Sequence, residues 1–154
     1  MHLYLVRHAK AGRRRDWDGP DHLRPLSKKG RRQAEGLVSL LLDRDIQRVL
    51  SSPYVRCVQT VQPLADKLGL VVEPVDALAE DAETDDVLAV MGSFDDANAV
   101  LCTHGDVIPD VLDALARKDR LRLPAHYPYP KGSTWELVGQ DGTYMDADYF
   151  APPA

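Results

Sequence analysis

The sequence predicts an α/β fold three layers deep, with a mainly parallel sheet between helices and at least one antiparallel strand late in the chain. Three observations point there. Short apolar runs at Leu3 to Val6, Val49 to Leu50, Leu70 to Val72 and Ala99 to Cys102 are mostly non-alternating, as strands buried on both faces are. Segments of helical periodicity separate these runs, and that alternation calls for parallel pairing with right-handed crossovers. The chain then closes on two extended patterns, "STWELV" and "TYMDADYF", flanking the turn signal "GQDG", which predicts a hairpin.

Each helix has its own warrant. From Lys28 to Arg44, Ala34, Leu37, Val38, Leu41 and Leu42 fall on one stripe, and Ser27 stands ready as the N-cap. A second helix is expected from the Ser52-Pro53 cap to Leu68, ended by Gly69, with Val58, Val61, Leu64 and Ala65 inward. Pro63 should kink it. A third begins near Asp106 and buries Ile108, Val111, Leu112 and Leu115, and Thr84 to Met91 forms a weaker candidate.

With 154 residues, 44% of them hydrophobic, the chain supports one domain over residues 1–154. No apolar run is long enough to cross a bilayer, and "MHLYLVRHAK" lacks the pattern of a secretory signal, so a cytoplasmic protein with no membrane partner is expected. Cys57 and Cys102 lie in helix and strand contexts and read as structural. The five histidines lack metal-site spacing, so neither a metal nor another cofactor is expected.

Net charge is -5, which argues against general nucleic-acid binding. Yet residues 1–32 carry ten Lys/Arg against three Asp/Glu, a local +7 that suits a small anionic substrate.

In open α/β sheets ligands sit beyond the carboxyl ends of the parallel strands. There this sequence places Arg7-His8 after the first strand, "SSPYVRCVQT" with Arg56 after the second, and His104-Gly105-Asp106 after "VLCT". Singly, each is as well explained as a surface residue. Together they describe a phosphate pocket: guanidinium groups match phosphate oxygens bidentately, helix amino-termini add N–H donors, and a neutral imidazole at His8 can attack phosphorus.

The motifs "LVRHAKAG", "RPLSKKGRRQAEGL", "SSPYVRCVQT" and "LCTHGDV" resemble, in order, those of the histidine phosphatase superfamily, and the short length is similar to the SixA-type phosphohistidine phosphatases. A closer resemblance, through "RHAKAG", "VIPDVL", "KGSTW" and the late "DAD", is to the phosphatase-like domain that follows the Nudix domain in certain bacterial MutT-type enzymes. The resemblance implies a phosphoglycerate mutase-like fold, His8 as phosphorylated nucleophile, Arg7 and Arg56 as phosphate-binding arginines, and His104 as the second pocket histidine. It also implies an acid after the third strand in a leucine-x-glutamate context; "ALAEDAETDD" offers Glu80 as proton donor, with Asp81 and Glu83 as neighbours.

Lys10, Arg13, Arg24, Ser27, Gly105 and Lys131 complete the expected substrate-binding set. The expected activity is a metal-independent phosphatase acting through a phosphohistidine, on a phosphohistidine protein or a small phosphorylated metabolite or nucleotide. The absence of a Nudix box raises a separately encoded Nudix-type partner. The alternative is a non-catalytic phosphate- or nucleotide-binding regulatory domain.

Overall fold

The computed structural model describes residues 1–94 and 96–154. Ten principal elements run in the order β1 (His2–Arg7), α1 (Lys28–Leu41), β2 (Arg48–Ser51), α2 (Val55–Leu68), β3 (Val72–Pro74), α3 (Thr84–Met91), β4 (Ala99–Thr103), α4 (Val107–Lys118), β5 (Thr134–Gln140) and β6 (Thr143–Phe150). One six-stranded sheet has the order β3-β2-β4-β1-β5-β6. β1, β2, β3 and β4 pair in parallel, whereas β5 lies antiparallel to both of its neighbours.

Strand alternation divides the core between the two sheet faces. Tyr4, Val6, Val100 and Cys102 pack with Leu37 and Leu41 of α1 and Val61 and Leu64 of α2. Leu3, Leu5, Ala99 and Leu101 pack instead with Val87 and Met91 of α3 and Ile108, Val111 and Leu112 of α4. Three layers result, as the sequence predicts. Both cysteines are free and buried, Cys57 and Cys102 lying in the α1/α2 side of the core.

The element ends differ from expectation in three places. α1 stops at Leu41 rather than Arg44, because the chain tightens into a turn in which the Arg44 N–H reaches the Leu41 carbonyl at 3.1 Å. α2 starts at Val55 with Tyr54 at its cap, and the Ser52 hydroxyl, two residues before that cap, accepts the Tyr54 N–H at 3.2 Å while also contacting His104. β3 starts at Val72 rather than Leu70: Gly69, at φ 70°, ends α2, and the Leu70 N–H closes back on the Ala65 carbonyl at 2.9 Å. α2 also runs through Pro63, since burial of Val61, Leu64 and Ala65 outweighs the one hydrogen bond that proline removes. The late hairpin turns at Asp141-Gly142, where both residues have positive φ, the geometry a two-residue turn between twisted strands prefers.

The loop after β1 is seated on α1. Ser27 caps that helix, accepting the Gly30 N–H at 3.1 Å and donating to the Lys10 carbonyl at 3.1 Å. Lys10 lies so close that a Cβ on Gly30 would sit 1.9 Å from its carbonyl oxygen. Gly30→Ala should therefore displace this loop and destabilise the protein by about 1–3 kcal/mol, the usual cost of overpacking, as measured by urea denaturation.

Candidate active site

β1, β4 and β2 lie side by side in the sheet and end at the same edge, followed by His8, His104 and Ser52 respectively. Arg56 enters from the first turn of α2. A cavity of about 240 Å³ opens here, and Arg7, His8, Arg56, His104 and Glu80 all line it. Arg24, Gly105 and Lys131 join them, as do Arg14 and Asp106. Five cationic side chains thus meet two carboxylates, which makes the cavity a site for an anion.

His8 is buried, and its Nδ1 lies 2.8 Å from the Ala9 carbonyl oxygen. A carbonyl only accepts, so Nδ1 carries the proton and Nε2 keeps its lone pair. Burial, reinforced by His104, Arg56 and Arg7, pulls the imidazole pKa down to about 3. His8 is therefore neutral and oriented.

His104 faces His8 edge-on, with ring centroids 5.5 Å apart. Its Nε2 is 2.8 Å from the Ser52 hydroxyl, which also accepts the Tyr54 N–H at 3.2 Å. Its Nδ1 is buried and without a partner among the described residues. Tyr54 packs on the His104 ring, centroids 4.6 Å apart, and Arg56 stacks over Tyr54 at 4.8 Å.

Arg56 is 1% exposed. Two of its nitrogens reach Asp21, at 3.0 Å to the carbonyl and 3.1 Å to the carboxylate, and Glu80 lies 3.5 Å away. Arg7 donates to the Tyr129 carbonyl at 3.0 Å, and its guanidinium rests on Gly105, where a Cβ would come within 2.5 Å of Arg7 Cζ. Only glycine permits that contact. The Nε atoms of Arg7 and Arg56 are buried without partners, like His104 Nδ1. Leaving a buried polar atom unpaired costs about 1–3 kcal/mol, more when charged, and all three belong to residues that line the cavity.

Thr60 locks the two halves together, its hydroxyl accepting the Ala9 N–H at 2.9 Å and donating to the Arg56 carbonyl at 2.7 Å. Asp21 gathers the arginines: although burial alone would raise its pKa, hydrogen bonds from Arg24 and Arg56 hold the carboxyl below its ordinary value. Arg24 also donates to the Gly12 carbonyl.

Three of the expected residues lie elsewhere. Arg13 is exposed and precedes a 3₁₀ turn at Arg14–Asp16; successive residues of such a turn point about 120° apart, so only Arg14 of the basic run meets the cavity. Ser27 is spent on capping α1, and Lys10 lines a neighbouring compartment instead. Among the three acids considered, Glu80 lines the cavity, Asp81 is exposed with its N–H on Asp106 at 2.9 Å, and Glu83 is exposed at the residue before α3. Asp21, Ser52, Thr60 and Asp106 were not among the predicted site residues. Thr60 had a signal, one turn after Arg56 on the same helix face; the Asp21 contacts span 35 residues and had none.

Comparison with known proteins bears directly on this geometry. Residues 3–84, more than half of the chain, match the family model of the histidine phosphatase superfamily (branch 1). The chain belongs to the histidine phosphatase superfamily. An 8-oxo-(d)GTP phosphatase of Mycolicibacterium smegmatis is 38% identical to it over 158 aligned residues, covering 98% of this chain and 48% of that protein. This histidine phosphatase chain thus spans about half the length of that curated relative. Among solved structures, the protein assigned as phosphohistidine phosphatase SixA of Agrobacterium tumefaciens superposes with a TM-score of 0.76 at 27% identity, covering 98% of this chain and 97% of that one. The SixA assignment from Nakamurella multipartitia gives 0.79 at 22% identity, over 99% and 96%. The shared architecture is the phosphoglycerate mutase-like α/β fold. No helix of this superfamily member is long and apolar enough to cross a membrane, among the described residues.

Two measurements check the site. Because the His8 pKa of about 3 lies below the roughly 6.5 of an unfolded chain, the fold keeps the ring neutral where the unfolded chain takes up a proton. Stability is then unaffected above about pH 6.5 and falls as pH drops from there toward 3. NMR should show the His8 ring as the neutral Nδ1–H form down to about pH 5, and a titration midpoint near 6.5 would refute the assignment. Gly105→Ala should push the Arg7 guanidinium aside and weaken inorganic phosphate binding about tenfold or more, read by calorimetry.

Proposed function

We propose that this chain is a phosphatase that works through a phosphohistidine at His8 Nε2. The observation that most strongly supports the reading is a neutral, oriented His8 in a cavity lined by Arg7, Arg56 and His104, each with a buried side-chain nitrogen that has no partner among the described residues. The Nε2 lone pair forms a bond to phosphorus while the bond from phosphorus to the leaving group breaks, its electron pair departing with that group. Glu80 supplies a proton to the leaving atom. Water then attacks phosphorus, the N–P bond breaks with its pair returning to Nε2, and the Glu80 carboxylate takes the water proton. Arg7, Arg56 and His104 hold the three equatorial oxygens, whose charge is greatest in the transition state.

The substrate in this reading is a small phosphorylated molecule, with nucleotide phosphates foremost. Alignment with an 8-oxo-(d)GTP phosphatase along 98% of the chain supports that class over a phosphohistidine protein. A cytoplasmic location fits the two free, buried cysteines, Cys57 and Cys102, which suit a reducing compartment.

A single-turnover assay with p-nitrophenyl phosphate separates this reading from a binding domain that turns nothing over. Wild type should release a stoichiometric burst of nitrophenol and trap phosphate on His8, while His8→Ala should lose roughly a thousandfold or more in rate. Equal rates in the two proteins would end the enzyme reading. Arg56→Ala should lose about a hundredfold in kcat, and loss confined to KM would mean that Arg56 binds the ground state only.

A further inference from the structure

A second compartment adjoins the phosphoryl cavity and is not used by the chemistry above. It has a volume of about 560 Å³, well within the range of sites for whole small molecules, and it shares Arg7 and Lys131 with the phosphoryl cavity. Lys10 and Lys29 add two more cations, Gln33, Pro130, Pro152, Pro153 and Ala154 complete the lining, and among the described residues no Asp or Glu side chain lines it. Among the described residues, Lys10, Lys29 and Lys131 form no ion pair. Like charges gathered at one wall favour an anionic guest. Burial, with Arg7, Arg24, Lys10 and Arg56 around it, pulls the Lys131 pKa below its ordinary value. α1 opens on Lys28 and Lys29 with no acid in its first turn, and cations are disfavoured at a helix N-terminus.

Lys10, Lys29 and Lys131 are exposed at the compartment wall, and an anion bound there meets positive charge from each. We infer that the compartment formed by Lys10, Lys29 and Lys131 binds the remaining phosphates of a polyphosphate-bearing small molecule whose terminal phosphoryl group enters the His8 cavity. The inference rests on the phosphatase reading for the direction in which the substrate lies. It also bears on the leaving group: a phosphate leaves with its charge already held by lysines, so proton donation from Glu80 matters less than it does for an alcohol.

The test uses calorimetry in a His8→Ala background, which prevents turnover, at about 0.15 M salt to screen long-range attraction. Inorganic phosphate and tripolyphosphate serve as probes. Tripolyphosphate should bind at least about tenfold more tightly than phosphate, and Lys29→Gln should remove most of that advantage while leaving phosphate affinity within about twofold. Lys28→Gln makes the same charge change one residue away, on an exposed side chain outside the compartment, and should retain the advantage. Equal affinities for the two probes, or equal losses from Lys28→Gln and Lys29→Gln, would overturn the inference and leave only a diffuse positive field. Because the probes report binding alone, a failed burst assay would remove the phosphatase reading without imitating either result.

Discussion

The backbone of Arg7 and His8 is clamped between two strands, and the geometry of the cavity follows from that clamp. The His8 N–H donates to the Thr103 carbonyl at 3.1 Å, the Arg7 N–H to the Ser133 carbonyl at 3.0 Å, and the Gly132 N–H reaches both the Arg7 and His8 carbonyls at 3.1 and 3.0 Å. β1 is buried on both faces, so these bonds have no water to compete with them. A buried strand tip held this way leaves its side chains little choice of direction. Arg7 rests on Gly105, the residue after His104, so the register of β1 against β4 also sets the relation between clamp and second histidine.

Charge is the second constraint, and it opposes stability. Arg56 is 1% exposed, and burying an unpaired guanidinium is costly, so the loop carrying Asp21 folds over it and supplies both a carbonyl and a carboxylate. The same carboxylate takes Arg24 at 3.0 Å and stands 3.4 Å from Arg14. Balance is only partial, because buried nitrogens of Arg7, Arg56 and His104 remain without partners among the described residues. The cavity is thus preorganised for an oxyanion and carries the energetic cost when none is bound.

Much of the site was legible in the sequence because its principal residues are tied to local patterns. His8, Arg7 and His104 follow apolar runs, and Arg56 sits in the first turn after one, so identifying the strands was enough to bring them to one edge. Where two signals competed, the reading went astray. Ser52 has the spacing of a helix cap, yet its hydroxyl serves His104, and α2 begins at Val55 instead. Arg13, Arg14 and Arg15 are equivalent in one dimension, and only the turn geometry selects Arg14. Lys29 carried no local signal of a site, and Pro152 and Pro153, more than 120 residues away in sequence, share its compartment.

By itself the sequence determined the layer order, the sheet edge that carries the site, and the residues that immediately follow its strands. These are consequences of burial periodicity and of parallel pairing, both of which are written in short stretches of chain. Tertiary structure alone decided which atoms carry protons and which charges are paired. The Ala9 carbonyl fixes the His8 tautomer, Ser52 reaches His104 across 52 residues, and Asp21 reaches Arg56 across 35. Hydrogen bonding and desolvation act over a few ångströms in space whatever the separation along the chain, so no periodicity announces them.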